Sequence, residues 1–366
     1  MAAAMTQTGI PFWFMRGGTS RGPYFRRADL PQDLETLAGV LVAVVGSGHP
    51  LNIDGIGGGN AVTTKVAMLS RSHDGWADID YFFAQVSVED GTVDFKPTCG
   101  NILTGVGPAA IEMGLIEATG RETAINIRAV NTGARVVARV QTEGGQVIYG
   151  GDIAIDGVPG TAAPVGLQFM DTVGGATGAL LPTGNLIDRF DGIDVTCMDV
   201  AMPLVIARAD NFGVTGYESA AELDENRDFF ARMEAVRLQA GAAMGIKDVA
   251  NSVTPKFGLL APARDGGTIA TRYFMPWKTH PTMAVTGAQC LASCVLTPGS
   301  VADGMVPTPN HTPAKITLEH ASGQIDVLVD FEIGADGIAL RSAGLVRTAR
   351  LLARGEVMVP GDIWKG

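Results

Sequence analysis

The chain has 366 residues, of which 46% are apolar and 18% charged, and its net charge is −11. Such a length exceeds what one hydrophobic core usually serves, so two domains are expected, and the apolar content excludes a disordered chain. The charge disfavours nucleic acid and anionic membranes as partners, and an anionic substrate would need a local positive island.

The opening "MAAAMTQTGIPFWFM" lacks a basic segment followed by a long apolar core, so no secretory signal is expected. Next, "MRGGTSRG" (15–22) offers the guanidiniums of Arg16 and Arg21, two glycines, Gly17 and Gly18, and the hydroxyls of Thr19 and Ser20. That composition suits a carboxylate clamp. A helix is expected over 32–46; its apolar part, "LAGVLVAVVG", is too short to span a membrane and reads as core. The Gly-rich "NIDGIGGGN" (52–60) has amides that could cradle an anion, but it does not have the spacing of a nucleotide-binding loop.

"VTTKVAMLS" (62–70) reads as a strand with Lys65 in its middle, on the face shared by Thr63 and Ala67. There Lys65 is either a solvated edge charge or, if desolvated near other cations, a base. "PTCGNILTGVGP" (97–108) then places Cys99 at the entrance of a helix expected over 100–114. The amides of Gly100 and Asn101 have no intrahelical acceptor, and a helix entrance favours negative charge. Cys99 is thus set to exchange a proton beside an anion. The plain alternative is a small buried residue.

The four cysteines (Cys99, Cys197, Cys290, Cys294) are unevenly spaced without a CxxC pair, which suggests reduced thiols in a cytoplasm. Short alternating runs continue through "TAINIRAVNTG", "ARVVARVQT" and "QVIYGGDIAI". A third helix is expected over 218–245, with Ser219 and Glu222 in capping-box spacing, and a fourth over 282–296. Lys278 and His280, just before the fourth, bring positive character to the second half. Cys290 and Cys294, one turn apart with no His or acidic neighbour, read as packing; no metal site is expected. Many short strands around few helices imply an α+β fold, with a helix packed inside curved sheets.

An internal repeat is visible. "VTTKVAMLS" resembles "VTPKFGLLA" (253–261), with Lys65 opposite Lys256, and "CGNILTGVGPAA" (99–110) resembles "HPTMAVTGAQCL" (280–291). A weaker echo pairs "RGGTSRG" with "LPTGNLI" (181–187). Two similar domains facing each other across a cleft are expected: 1–182, with 343–366 packing onto it, and 183–342.

Taken together, "MRGGTSRGPYF", "IDGIGGGNAVTTKVA", "CGNILTGVGPAAIE", "LLPTGN", "SVTPKFGLLAPARDGG" and "RTARLL" resemble the PrpF-like isomerases. These are relatives of 4-oxalomesaconate tautomerase and of the methylaconitate and methylitaconate isomerases. The resemblance runs from residue 15 to about 350. It implies a diaminopimelate-epimerase-like fold of two similar domains, each a curved, mostly antiparallel sheet around a central helix. It also implies proton transfer without a cofactor, with Lys65 and Cys99 as the catalytic pair. The family's carboxylate-binding loops fall on Gly17 to Ser20, on Gly100 and Asn101, and on Thr183, Gly184 and Asn185. Lys256 and His280 fall on second-half positions that resemble its substrate contacts. The sequence departs from the family pattern at Arg21, where a lysine is usual, at Thr98, and at Thr279-His280-Pro281-Thr282.

The expected function is therefore a cofactor-independent isomerase. It would catalyse a 1,3-allylic proton shift in a small unsaturated di- or tricarboxylate such as 4-oxalomesaconate. A methylaconitate- or aconitate-type acid is an alternative substrate. An amino-acid racemase or epimerase on the same fold is disfavoured, because Thr279-His280 stands where a second thiol is wanted. A non-catalytic carboxylate-binding protein is the rival from another class. The expected partner is the polycarboxylate; a homodimer is allowed for, though no residue fixes the oligomeric state.

Overall fold

The computed structural model describes residues 7–307, 309, 311–334 and 337–366. The first six residues of the N-terminal stretch read above for a signal lie outside them. The chain forms two compact units: unit 1 runs to Leu167 and resumes over Val346–Gly366, and unit 2 is Gln168–Leu345. The fold is α+β, as the run of short strands and few helices implies.

In unit 1, β1 (Gln7–Gly17) and β2 (Ser20–Arg26) form a hairpin, and α1 (Leu34–Val45) crosses to β3 (Lys65–Arg71). β3 pairs with β4 (Ile79–Val86), which carries the short β5 (Val93–Asp94) on its edge. A second crossover, α2 (Gly100–Thr104) and α3 (Val106–Glu112), leads to the pair β6 (Glu122–Ala129) and β7 (Arg135–Glu143). β8 (Gln146–Val147) and β9 (Pro164–Met170) complete the first pass. The hairpins pair antiparallel, whereas the joins made by helical crossovers, β2–β3 and β4–β6, are parallel, as strand connectivity requires.

Unit 2 repeats the plan. β10 (Asp188–Phe190), β11 (Ile193–Asp199) and β12 (Pro203–Arg208) lead through α4 (Ala220–Glu225) and α5 (Arg227–Ala243) to β13 (Lys256–Pro262) and β14 (Ile269–Phe274). α6 (Val285–Leu296) then crosses to β15 (Ala314–His320) and β16 (Gly323–Gly334). Again the crossover joins, β12–β13 and β14–β15, are parallel. β17 (Gly337–Pro360) begins beside β16 and ends beside β1. The repeated strings therefore occupy equivalent places: Lys65 opens β3 and Lys256 opens β13.

Strand alternation builds the cores. In unit 2, Leu204 and Ile206 pack with α6, while Val205 and Ala207 pack with Met233 and Val236 of α5. From Gly287 to Leu296 α6 is buried all round, which explains its lack of a polar face. In unit 1, Val66 and Met68 of β3 pack against Leu37, Leu41 and Val44 of α1. Among the described residues no helix is long and apolar enough to cross a membrane.

Several boundaries differ from the sequence expectation. Lys65 is the first residue of its strand, not the middle, because residues 61–64 form a turn. The helix expected over 100–114 breaks at Gly105. Pro108 has no N–H for the Thr104 carbonyl, and its ring crowds that carbonyl. The helix expected over 218–245 is divided at Asn226, whose side chain caps α5 by accepting from Phe229 N at 3.0 Å. The fourth helix starts three residues late, at Val285, because the Thr282 amide donates to His280 Nδ1 at 3.1 Å in a turn.

Candidate active site

The site in unit 1 is assembled by a hairpin tip, a strand start and a helix start. Gly17 and Ser20 close the β1–β2 hairpin, with Gly18 at φ +52. A positive φ at the first central position is what a two-residue turn of this hand demands. The tip presses on α2. A Cβ on Gly17 would lie 2.3 Å from the Asn101 carbonyl oxygen, and one on Gly18 would lie 2.2 Å from Asn101 Oδ1. Asn101 Oδ1 faces the Thr19 N–H at 3.4 Å. Tyr24 of β2 ties the two elements from below, donating its hydroxyl to Ile102 O at 2.5 Å. Burial pushes the Tyr24 phenol well above its ordinary pKa, so it stays a donor.

Against this frame Lys65 enters from β3. Its Nζ lies 3.3 Å from Ser20 Oγ and 3.3 Å from Cys99 Sγ. Val66 and Met68 face α1, so alternation turns Lys65 to the opposite side, towards α2. The strand start comes close because Gly22 has no side chain: a Cβ there would fall 1.7 Å from the Lys65 carbonyl oxygen. Cys99 caps α2 with extended backbone and no side-chain capping bond, so its sulfur is not used by the helix. Its carbonyl accepts from Leu103 N at 2.8 Å and faces the Tyr81 hydroxyl at 3.4 Å. Gly100 and Asn101 follow as the first helical residues, with amides that no earlier turn can engage.

The other thiols differ in kind. Cys197, Cys290 and Cys294 are buried, and burial pushes their pKa values up, that of Cys294 to about 12. They are packing residues; Cys99 is half-exposed. Arg16 is partly committed: its Nη1 donates to Gly18 O at 2.9 Å and to Thr348 O at 2.9 Å, bracing the hairpin. The Gly-rich loop folds around the Asn52 side chain, which donates to Gly46, His49 and Val88 carbonyls and accepts from Gly59 N.

Unit 2 carries the remaining candidates. Lys256 and His280 are half-buried; burial first, and then Arg237, lowers the Lys256 pKa, and burial lowers that of His280, with Lys256 adding to the effect. Because His280 Nδ1 accepts from Thr282 N, the neutral ring carries its proton on Nε2. Lys278 is exposed in the turn after β14, where its carbonyl accepts from Met275 N. Thr183 and Asn185 both donate to the Asp188 carboxylate, at 2.6 and 2.8 Å, with exposed Gly184 between them at φ +78.

Sequence reasoning missed Tyr24 and Arg237. Arg237 is fully buried in α5. It binds both Glu234 carboxylate oxygens, at 2.6 and 2.7 Å, and the carbonyls of Val249, Ser252 and Pro255, which fixes the segment leading into Lys256. A lone arginine on an otherwise apolar helix face was the available signal.

The family model described as "PrpF protein" matches residues 7–360. The chain is 50% identical to "Putative isomerase YbhH" of Escherichia coli (strain K12), covering 96% of this chain and 99% of that one. It is 46% identical to "4-oxalomesaconate tautomerase" of Pseudomonas putida, over 99% of each. Its structure is similar to a crystal structure of methylitaconate-delta-isomerase, with TM-score 0.88 and 32% identity over 98% of this chain and 97% of the other.

Proposed function

Because this chain belongs to the PrpF family and is an isomerase, we propose that it moves a proton between carbons of a small unsaturated polycarboxylate, with 4-oxalomesaconate the favoured substrate. The contact of Lys65 Nζ with Cys99 Sγ, 3.3 Å long and shared with Ser20 Oγ, carries this reading. The identity to a 4-oxalomesaconate tautomerase supports the choice of acid.

The reaction is a 1,3-allylic shift. One member of the pair takes a proton from the saturated carbon next to the double bond. The electron pair left behind spreads through the double bond into a carboxylate as a dienolate. The acid member then returns a proton to the far carbon, and the double bond moves one place with no change in formula. The N–H groups of Gly100 and Asn101 and the Thr19 and Ser20 groups hold the dienolate charge, each well-placed donor contributing on the order of 3 kcal/mol. The reaction as proposed uses no cofactor and takes place in the cytoplasm, where the thiol stays reduced.

The test is a proton-NMR and ultraviolet screen in deuterated water with oxalomesaconate, methylaconitate, trans-aconitate and methylitaconate. Double-bond migration with deuterium entering one carbon is expected for one acid. Turnover of none of them, with binding retained, would leave a carboxylate-binding protein.

A further inference from the structure

Three arginines lie side by side on adjacent strands at the hairpin. In the strand register Arg16 of β1 stands opposite Arg21 of β2 on one side and opposite Arg350 of β17 on the other. Like charges at directly opposed positions destabilise a sheet, and this chain carries eleven excess negative charges to spend elsewhere. All three line one cavity of about 590 Å³ in unit 1, together with the hydroxyl residues Thr19, Ser20 and Thr63. Among the described residues no aspartate or glutamate lines it. Tyr149 of its wall donates its hydroxyl to Glu112 at 3.2 Å. Among the described residues neither Arg21 nor Arg350 has a carboxylate partner, whereas Arg16 is braced by Gly18 and Thr348. Burial, and then Arg350, lowers the Arg16 pKa, as expected for cations assembled without their anion. Ser20 belongs both to this cavity and to the Lys65 contact.

We infer that this cavity seats a carboxylate of the substrate other than the one conjugated to the reacting carbons, with Arg21 and Arg350 as its ligands and Arg16 as the fixed wall between them. This rests on the isomerase reading above and deepens it: the arginine row makes the enzyme select acids by their number of carboxylates. Planar guanidiniums suit this task because each can meet a carboxylate with two parallel N–H bonds. The volume lies in the range of small-molecule sites.

The experiment is calorimetric titration of the Lys65→Met protein with tricarballylate, a saturated tricarboxylate, and with glutarate, which lacks the middle carboxylate. Tricarballylate is expected to bind at least tenfold more tightly. Arg350→Gln and Arg21→Gln should each raise its Kd at least tenfold, equivalent to about 1.4 kcal/mol, and remove the preference. Arg350→Lys, which keeps the charge but loses the planar fork, should give a Kd between that of the Lys65→Met protein and that of its Arg350→Gln form. In the otherwise unaltered enzyme Arg350→Gln should raise KM tenfold or more on any acid turned over, with kcat within threefold. Equal affinity for the two acids, or unchanged affinity in both glutamine variants with a parent-like circular dichroism spectrum, would overturn the assignment. Binding needs no turnover, so the two readings fail separately. A parent inactive on every acid but binding tricarballylate through its arginines refutes the isomerase and supports the cavity. Turnover with arginine-independent KM does the reverse.

Discussion

Replacing Gly17 or Gly18 by alanine tests whether the hairpin tip positions Ser20. At Gly17 the added Cβ would meet the Asn101 carbonyl oxygen at 2.3 Å and the Gly105 nitrogen at 3.1 Å. Both are backbone atoms of a helix start anchored by Tyr24. A carbon normally comes no closer to such an oxygen than about 3.3 Å, so the tip must retreat by about 1 Å. That retreat carries Ser20 away from Lys65. Overpacking of this kind costs about 2 kcal/mol of stability, and a 1 Å misplacement near the chemistry can cost about 100-fold in rate. At Gly18 the obstacle is the Asn101 side chain, which can turn aside, so the cost is mainly the positive φ, about 1 kcal/mol. We therefore expect Gly17→Ala to lose about 100-fold in kcat and Gly18→Ala less than tenfold, as measured by steady-state kinetics alongside thermal unfolding. Parent-like kcat in Gly17→Ala, or a larger loss in Gly18→Ala, would refute the reasoning.

Arg237→Leu leaves the buried carbonyls of Val249 and Pro255 and the half-buried one of Ser252 without their donor, and should destabilise the protein by about 3 kcal/mol in urea unfolding. Glu319 gives a pH-dependent case. Burial alone would raise its pKa, but the amides of Arg264, Gly267 and Asp265, together with Arg272, outweigh that and hold it below the ordinary glutamate range. A depressed folded-state pKa contributes stability that is full above the unfolded value, near 4.3, and lost as pH falls through the folded value. Glu319→Gln should thus cost about 2 kcal/mol at pH 7 and show a flatter stability profile than the parent below pH 4, followed by urea midpoints across that range.

The sequence repeat was legible because its strings sit at equivalent structural positions. Lys65 and Lys256 each open a strand that follows a helical crossover. The Ser219–Glu222 capping box is formed as its spacing implies. Local rules failed where a single residue overrode periodicity: Pro108 divides one helix and Asn226 another. At the candidate site, a helix entrance and a strand with one lysine brought Cys99 and Lys65 forward as candidates. The arginine row was hidden because strand register, not proximity in sequence, creates it. Arg16 meets Thr348, 332 positions further along, and pairs with Arg350 in the last strand. Tyr24 was hidden for a related reason: an apolar strand pattern does not show that a phenol will find a helix carbonyl beneath the hairpin.

The central claim is that Lys65 and Cys99 together move the proton. Proton NMR of 4-oxalomesaconate in deuterated water, with the parent, Lys65→Met and Cys99→Ser, tests it most directly. The account predicts that each variant binds the acid but loses both deuterium incorporation and double-bond migration by at least about 100-fold, the scale of a positioned acid or base. Either variant isomerising the acid at the parent rate would contradict it.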